Sequence, residues 1–401
     1  MNNQENIERV VYPEISADGF PKTALSREFY TSEKWFARDI ERVFSRRWIF
    51  VCHTSELPNS GDYTTFELGN YSVVVTRGKD SNINSFHNVC RHRGTRLCPP
   101  GKGKTNLFVC QFHGWSYTLD GSLRAAPHMP DIKKECFGAK PVWNEVWNGM
   151  VFINLLDEKP KPVAEYLRDA DFAGHRLDNA RVIASKEYMT KANWKINGET
   201  FQECYHCSIV HRDSLGKILT PLTLHDAYDN VGVETGDEKE FMIFSDDLLK
   251  GQFAPGVKSE TIDGELVSKK LLGDDPNGQS AKLLSWFPNF SVGAWPDFAV
   301  LIDWIPVSAQ ETLFRTRWLV HADAVEGPDY DIEKVVHLMD MTNREDKKIV
   351  ELQQAGVNSP VYVPGPYHQP LENDARKYIA QYLAMVQAKG PWAGDGSVDV
   401  A

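Results

Sequence analysis

Cys90 and His92 stand one residue apart, Cys110 and His113 two apart, with seventeen residues between the pairs in CRHRGTRLCPPGKGKTNLFVCQFHGW. Two thiolates and two imidazoles offered as two mixed pairs suit a [2Fe–2S] cluster, with Cys90 and Cys110 on one iron and His92 and His113 on the other. A structural zinc ion also accepts two Cys and two His. Zinc fingers, however, usually present Cys with Cys and then His with His, and here each pair is mixed. Gly94, Gly101, Gly103 and Gly114 supply the tight backbone turns that two ligand loops need. Such a centre carries electrons.

A second group of ligand types lies in ANWKINGETFQECYHCSIVHRDSL. On a helix Glu203 and His206 share one face a turn apart, whereas His211 sits about 140° from His206 and can join it on one metal only at a helix end or bulge. Taken alone, two histidines at this spacing are more often surface or core residues. A carboxylate to complete a set must come from downstream, where DYDIEKVVHLMDMTNREDKKIVELQQAG offers Asp331, Asp340, Glu345, Asp346 and Glu351. Spacing alone does not choose among these five acids.

The elements that position these residues change character along the chain. Phe36, Ile40, Val43 and Phe44 recur at helical intervals through SEKWFARDIERVFSRRW, predicting an amphipathic helix. From Gly61 onward short alternating or apolar runs, YTTFEL, YSVVVT, INSFHNV, LFVC and GMVFINLL, predict antiparallel strands, and WSYTLDGSL predicts a hairpin turning at Asp120 and Gly121. The remainder mixes strands with long helical patterns and reads as α+β. The segment around Asp346 predicts a long helix capped by Gly356. Residues 246–280, rich in Gly, Asp, Lys and Ser, predict a mobile surface segment or lid.

At 401 residues two domains are expected: 45–156 for the strand-rich unit, and 1–44 with 157–401 for the other. Hydrophobic residues at 42% and charged residues at 25% fit a globular protein, and no apolar run approaches the roughly 20 residues that cross a bilayer. The N-terminus lacks the apolar core of a signal peptide, so a cytoplasmic protein is expected. Seven cysteines, an odd number, point to reduced thiols and metal ligands and not to a disulfide framework. A net charge of −11 argues against nucleic acid as a partner.

The spacing of the Cys/His pairs, with HRG after the first His and HGW after the second, resembles the Rieske domain. Some Rieske electron carriers place a disulfide across the cluster loops; here the second loop has no cysteine beyond Cys110, so Cys98 is expected to be a free thiol. Joined to such a domain, NWK, an acid, YH, four residues and a second His resemble the mononuclear iron motif of the Rieske oxygenases. The resemblance implies a facial triad of His206, His211 and Asp346 on Fe(II), with open positions for dioxygen and substrate. It also implies a homotrimer, in which Glu203 links His206 to a cluster histidine, His113, of the next subunit. Two positions depart from the family pattern: Glu203 stands where an Asp is usual, and Thr200 where an Asn often follows the upstream acid.

ECYHC around Glu203, with WLVHADAVEGPDYD and NSPVYVPGPY, resembles the branch that oxidises quaternary ammonium compounds such as glycine betaine, carnitine or stachydrine. That implies N-demethylation with formaldehyde release, using O2 and electrons drawn from NAD(P)H by a flavin and iron–sulfur reductase. An N-methyl cation offers no strong hydrogen bond, so aromatic faces are its expected recognition elements. Tyr205, Trp286, Phe290, Trp295 and Trp304 are candidates, with Phe287 and Phe298 nearby in sequence. Hydroxylation of an aromatic ring or acid by the same metals, and a plain electron carrier or zinc-stabilised binding protein, are the other readings.

Overall fold

The computed structural model describes residues 10–167, 170–219, 253–273, 281–369 and 371–387, and the backbone of 242–245. The chain divides into two compact units, Phe44–Glu165 on one side and Met1–Val43 with Tyr166–Ala401 on the other.

The first unit is antiparallel β. β1 (Ile49–His53), β10 (Met150–Asn154) and β9 (Trp143–Trp147) form one sheet; β2 (Asp62–Leu68), β3 (Tyr71–Arg77), β4 (Ile83–His87) and β5 (Lys102–Lys104) form a second, in the order β4-β3-β2-β5. In β2 the alternation of the sequence becomes alternation of burial, with Thr64, Phe66 and Leu68 inward. A small third sheet joins β6 (Phe108–Val109), β7 (Ser116–Tyr117) and β8 (Leu123–Ala125). Val74, Phe86, Phe108, Trp115 and Tyr117 pack around Cys90 and Cys110.

The second unit is α+β. Six antiparallel strands, β11 (Ala180–Thr190), β12 (Met242–Ser245), β13 (Lys282–Trp286), β14 (Phe290–Ala294), β15 (Ala299–Ser308) and β16 (Glu311–His321), lie in the order β11-β16-β15-β14-β13-β12. Helices α1 (Arg27–Thr31) and α2 (Glu33–Arg42) precede them, a short α3 (Val163–Tyr166) stands at the boundary between the units, and α4 (Trp194–Phe201), α5 (Cys207–Val210), α6 (Ile332–Val357) and α7 (Asn373–Gln387) complete the list. α6 packs on β11, and α4 packs on β15, α6 and α7.

The NWK run fixes α4. Asn193 caps it, accepting from the Lys195 amide (2.9 Å) and donating to the Ala309 carbonyl (2.6 Å). The next two side chains converge on Asp39 of α2, fully buried: Trp194 Nε1 donates to Oδ2 (2.8 Å), Lys195 Nζ pairs with it (2.5 Å), and Tyr382 of α7 donates to Oδ1 (2.8 Å).

Three expectations change, and a fourth, the mobile segment or lid, falls only partly within the described residues. α4 stops at Phe201, so Glu203 and His206 sit in a turn and not on one helix; His206 and His211 are the two end caps of the four-residue α5. Gly356 lies inside the last turn of α6, whose C-cap is Asn358. Of the expected lid, 246–252 and 274–280 lie outside the described residues. The described part, 253–273, has no strand, yet Asp297 pins it by accepting from Ser259 Oγ (2.6 Å) and from the amides of Val267 (2.6 Å) and Ser268 (3.0 Å). Finally, Cys204 and Cys207 form a disulfide, since the turn places their sulfurs side by side.

Candidate metal centres

The two Cys/His loops are built alike. The Cys90 amide donates to the Thr95 carbonyl (2.8 Å) and the Gly94 amide to the Cys90 carbonyl (3.0 Å); Cys110 does the same with Trp115 (2.7 Å) and Gly114 with Cys110 (3.0 Å). Gly94 and Gly114 hold equivalent places at φ +79° and +70°, where a Cβ costs about 1–2 kcal/mol. Cys90 and Cys110 are buried and free, while His92 and His113 are exposed with ring centroids 4.6 Å apart. The His92 ring stacks on Trp115 at 5.0 Å.

Tyr117 Oη lies 3.3 Å from Cys90 Sγ and accepts from the Arg91 amide (3.0 Å). Burial and the neighbouring sulfur raise the Tyr117 pKa, so the phenol remains a proton donor. Buried thiols inside and paired imidazoles at the rim fit a [2Fe–2S] cluster. Cys98 is free, as expected, and burial raises its thiol pKa to about 11, which keeps it neutral.

The second centre gathers residues 206, 211 and 346. His206 Nε2 is 3.2 Å from His211 Nε2, and Asp346 Oδ1 lies 3.4 Å from the first and 3.0 Å from the second. Three donors about 2.1 Å from one ion, at angles of about 90–110°, would stand about 3.0–3.4 Å apart. Asp346 Oδ1 is buried without a hydrogen bond, an arrangement a cation resolves. The residues present therefore fit a divalent metal.

Each imidazole is oriented from its other nitrogen. His206 Nδ1 donates to Glu203 Oε1 (2.6 Å) and His211 Nδ1 to Glu345 Oε2 (2.8 Å), leaving both Nε2 lone pairs to face Asp346. Ser214 Oγ donates to the same Glu345 oxygen. Burial opposes the imidazolium of His206, but the Asp346 and Glu203 carboxylates outweigh it and raise the pKa to about 10. Burial likewise opposes the charge on Asp346, and the two imidazoles bring its pKa down to about 2. The site seeks positive charge.

The other acids of the Asp346 helix have separate partners. Asp331 caps α6, Asp340 binds Lys186 Nζ (2.8 Å) and the Tyr188 hydroxyl (2.5 Å), and Glu351 accepts from the Lys191 amide (3.0 Å). The role of Glu345 was not legible in the sequence, because adjacent helix positions point about 100° apart and only a ring between them can touch both. Cys207 Sγ also falls within 4.8 Å of the two imidazole donors, but its bond to Cys204 removes it as a thiolate.

The aromatic candidates divide. Tyr205 is 51% exposed and stacks on His368 at 4.7 Å. Trp286, Phe290, Trp295 and Trp304 are buried on the six-stranded sheet or its turns, as are Phe287 and Phe298. None of these lines the small cavity of about 20 Å³ beside Asp346, whose walls include Tyr188, Asn197, Thr200, Phe201 and Phe314. Trp304 stands behind that wall, 5.3 Å from Phe201 and stacked at 6.3 Å on Phe314.

Residues 177–388 match the model of the ring hydroxylating alpha subunit (catalytic domain), and residues 47–136 that of the Rieske [2Fe-2S] domain. The chain is 34% identical over 391 residues to the glycine betaine monooxygenase oxygenase subunit of Chromohalobacter salexigens, covering 92% of this chain and 88% of that protein. It is 35% identical over 239 residues to the carnitine monooxygenase oxygenase subunit of Acinetobacter pittii, covering 56% of this chain and 62% of that protein. The crystal structure of a quaternary ammonium Rieske monooxygenase in complex with L-carnitine matches with a TM-score of 0.68 at 25% identity, over 92% of this chain and 96% of that one. With its two loops of Cys/His pairs and a second unit carrying the His206, His211 and Asp346 cluster, the chain belongs to the ring-hydroxylating alpha subunits and is the oxygenase component of a Rieske non-heme iron oxygenase.

Proposed function

We propose that this chain hydroxylates an N-methyl group of a betaine-type quaternary ammonium compound and so removes it as formaldehyde. One observation carries the substrate class: 34% identity to a glycine betaine monooxygenase subunit is sustained over 92% of the chain. Cys90 and Cys110 with His92 and His113 would hold the cluster, and His206, His211 and Asp346 the mononuclear iron. When bound, these groups supply one-electron transfer and the activation of dioxygen at open coordination positions.

The chain's own residues set the stage for that chemistry. Glu203 and Glu345 each accept one Nδ1–H hydrogen bond and so present Nε2 to the metal. Glu203 would also reach a cluster histidine, His113, of a neighbouring subunit in a homotrimer, giving electrons a hydrogen-bonded route. Phe201 and Phe314, which line the small cavity beside Asp346 and are backed by Trp304, would supply aromatic surface for a cation that has no N–H to donate, each contact worth about 0.5–2 kcal/mol. One oxygen atom of O2 enters the C–H bond and the other leaves as water, consuming two electrons and two protons. The resulting N–CH2OH loses formaldehyde and leaves a tertiary amine.

The electrons would come from NAD(P)H through a flavin and iron–sulfur reductase, in the cytoplasm. The test is to supply the purified chain with a generic reductase, NADH and a panel of betaines, and to measure formaldehyde against amine consumed. One formaldehyde per amine is expected, with about three irons per chain. Amine conversion without formaldehyde, or turnover of aromatic acids alone, would refute the reading.

A further inference from the structure

The disulfide brackets one of the two imidazoles of the second centre. Cys204 and Cys207 flank Tyr205 and His206 in the turn between α4 and α5, and Cys207 Sγ lies 4.0 Å from His206 Nε2. That sulfur and the ligand nitrogens of His206 and His211 all fall within 4.8 Å of one another, while Asp346 Oδ1 approaches the same two nitrogens. Cys207 Sγ is thus a neighbour of both imidazole donors, and its bond to Cys204 keeps it from being a ligand. A thiolate and an imidazole on one tetrahedral zinc ion stand about 3.5 Å apart, about 0.5 Å closer than Cys207 Sγ stands to His206 Nε2.

We propose that the Cys204–Cys207 bond is a redox-controlled selector of the metal held at the mononuclear centre. Oxidised, it leaves two imidazoles and one carboxylate, a set with open positions that suits Fe(II). A dithiol reductant opens it by exchange: the dithiol becomes a disulfide, its two electrons and two protons pass to the Cys sulfurs, and both emerge as thiols. Cys207 then gives up its proton to solvent and coordinates, closing the shell with two imidazoles, one thiolate and one carboxylate, a softer tetrahedral set of the kind zinc prefers. The bond is buried, so exchange requires the turn to open, and conversion is slow compared with turnover.

The inference rests on the metal site of the proposed function, and zinc X-ray absorption tests it without any assay of turnover. The full-length protein is loaded with zinc and its zinc-edge EXAFS recorded before and after dithiothreitol treatment and anaerobic desalting; the cluster iron does not contribute at that edge. A Zn–S shell at about 2.3 Å is expected only after reduction. It is expected without reductant in Cys204→Ser and never in Cys207→Ser. Alkylation and mass measurement must show two more reactive thiols in the reduced protein than in the oxidised one. A shell of nitrogen and oxygen alone in both reduced wild type and Cys204→Ser, or no gain of thiols, overturns the selector and leaves the metal site intact. Failure of the wild type to retain zinc in either state overturns both.

Discussion

Glu345 gives the sharpest test of how the second centre is organised. Its Oε2 accepts from His211 Nδ1 at 2.8 Å, and no other described acid does so. Glu345→Ala removes a hydrogen bond between an ionised acceptor and an imidazole, worth about 1.5–3 kcal/mol. The side chain is 28% exposed, so water can replace part of what is lost, and the Ser214 hydroxyl, freed from its acceptor, can turn toward Nδ1. A net loss of about 1.4–2.8 kcal/mol follows, a tenfold to hundredfold weaker metal site. The assay is anaerobic competition for Fe(II) or Co(II) against a fluorescent chelator. Glu345→Gln, which keeps an acceptor oxygen without the charge, is expected to fall between wild type and Ala. Iron–sulfur absorbance serves as the internal control, because the cluster loops lie in the other unit. An Ala variant that binds metal within about twofold of wild type, a difference under about 0.4 kcal/mol, would refute the orienting role.

Tyr117→Phe removes a donor to the Cys90 sulfur that stabilises the reduced cluster; a loss of about 1 kcal/mol lowers the potential by roughly 40 mV, read by protein-film voltammetry. Gly94→Ala and Gly114→Ala each force a Cβ into the left-handed region at a cost of about 1–2 kcal/mol, and cluster content after reconstitution is expected to fall in both. Asp39→Ala strands the fully buried Lys195 charge at about 3–5 kcal/mol, so the unfolding midpoint of the catalytic unit falls sharply while cluster absorbance persists to higher denaturant. In the metal-free protein, where the pKa of His206 is raised from 6.5 to about 10, the stability gained from its imidazolium is complete below about pH 6.5 and lost as pH rises toward 10. Urea midpoints across that window measure it, and metal uptake at pH 8 is expected to release a proton that a pH indicator records.

The Cys/His pairs, the strands around them and the α+β character of the second unit were legible because each depends on local spacing. Alternation in YTTFEL is alternation of burial, and the apolar rhythm from Val335 to Val357 is the buried face of α6. The meeting of His206, His211 and Asp346 could be anticipated only through the family motif, since 134 residues separate the second histidine from the acid. Three features escaped. Asp39 looks like a solvated charge in its helix, and its burial follows from partners in α4 and α7 that no periodicity reveals. Glu203 reads as helical until the chain turns after Phe201. The pairing of Cys204 with Cys207 depends on that same turn, which a helical reading of the segment had erased.

The catalytic unit is discontinuous, with Phe44–Glu165 inserted between its two pieces. Asp39 is joined by Tyr382 of α7, so a ribosome must add the 343 residues up to Tyr382 before that buried carboxylate has all its partners. The inserted unit contains both Cys/His loops and is complete some 216 residues before Tyr382 is added. Units that finish early on the ribosome fold early. Assembly therefore has an inherent sequence: the strand-rich unit can fold on the nascent chain, whereas the framework around His206, His211 and Asp346 is not finished until α7 has been made.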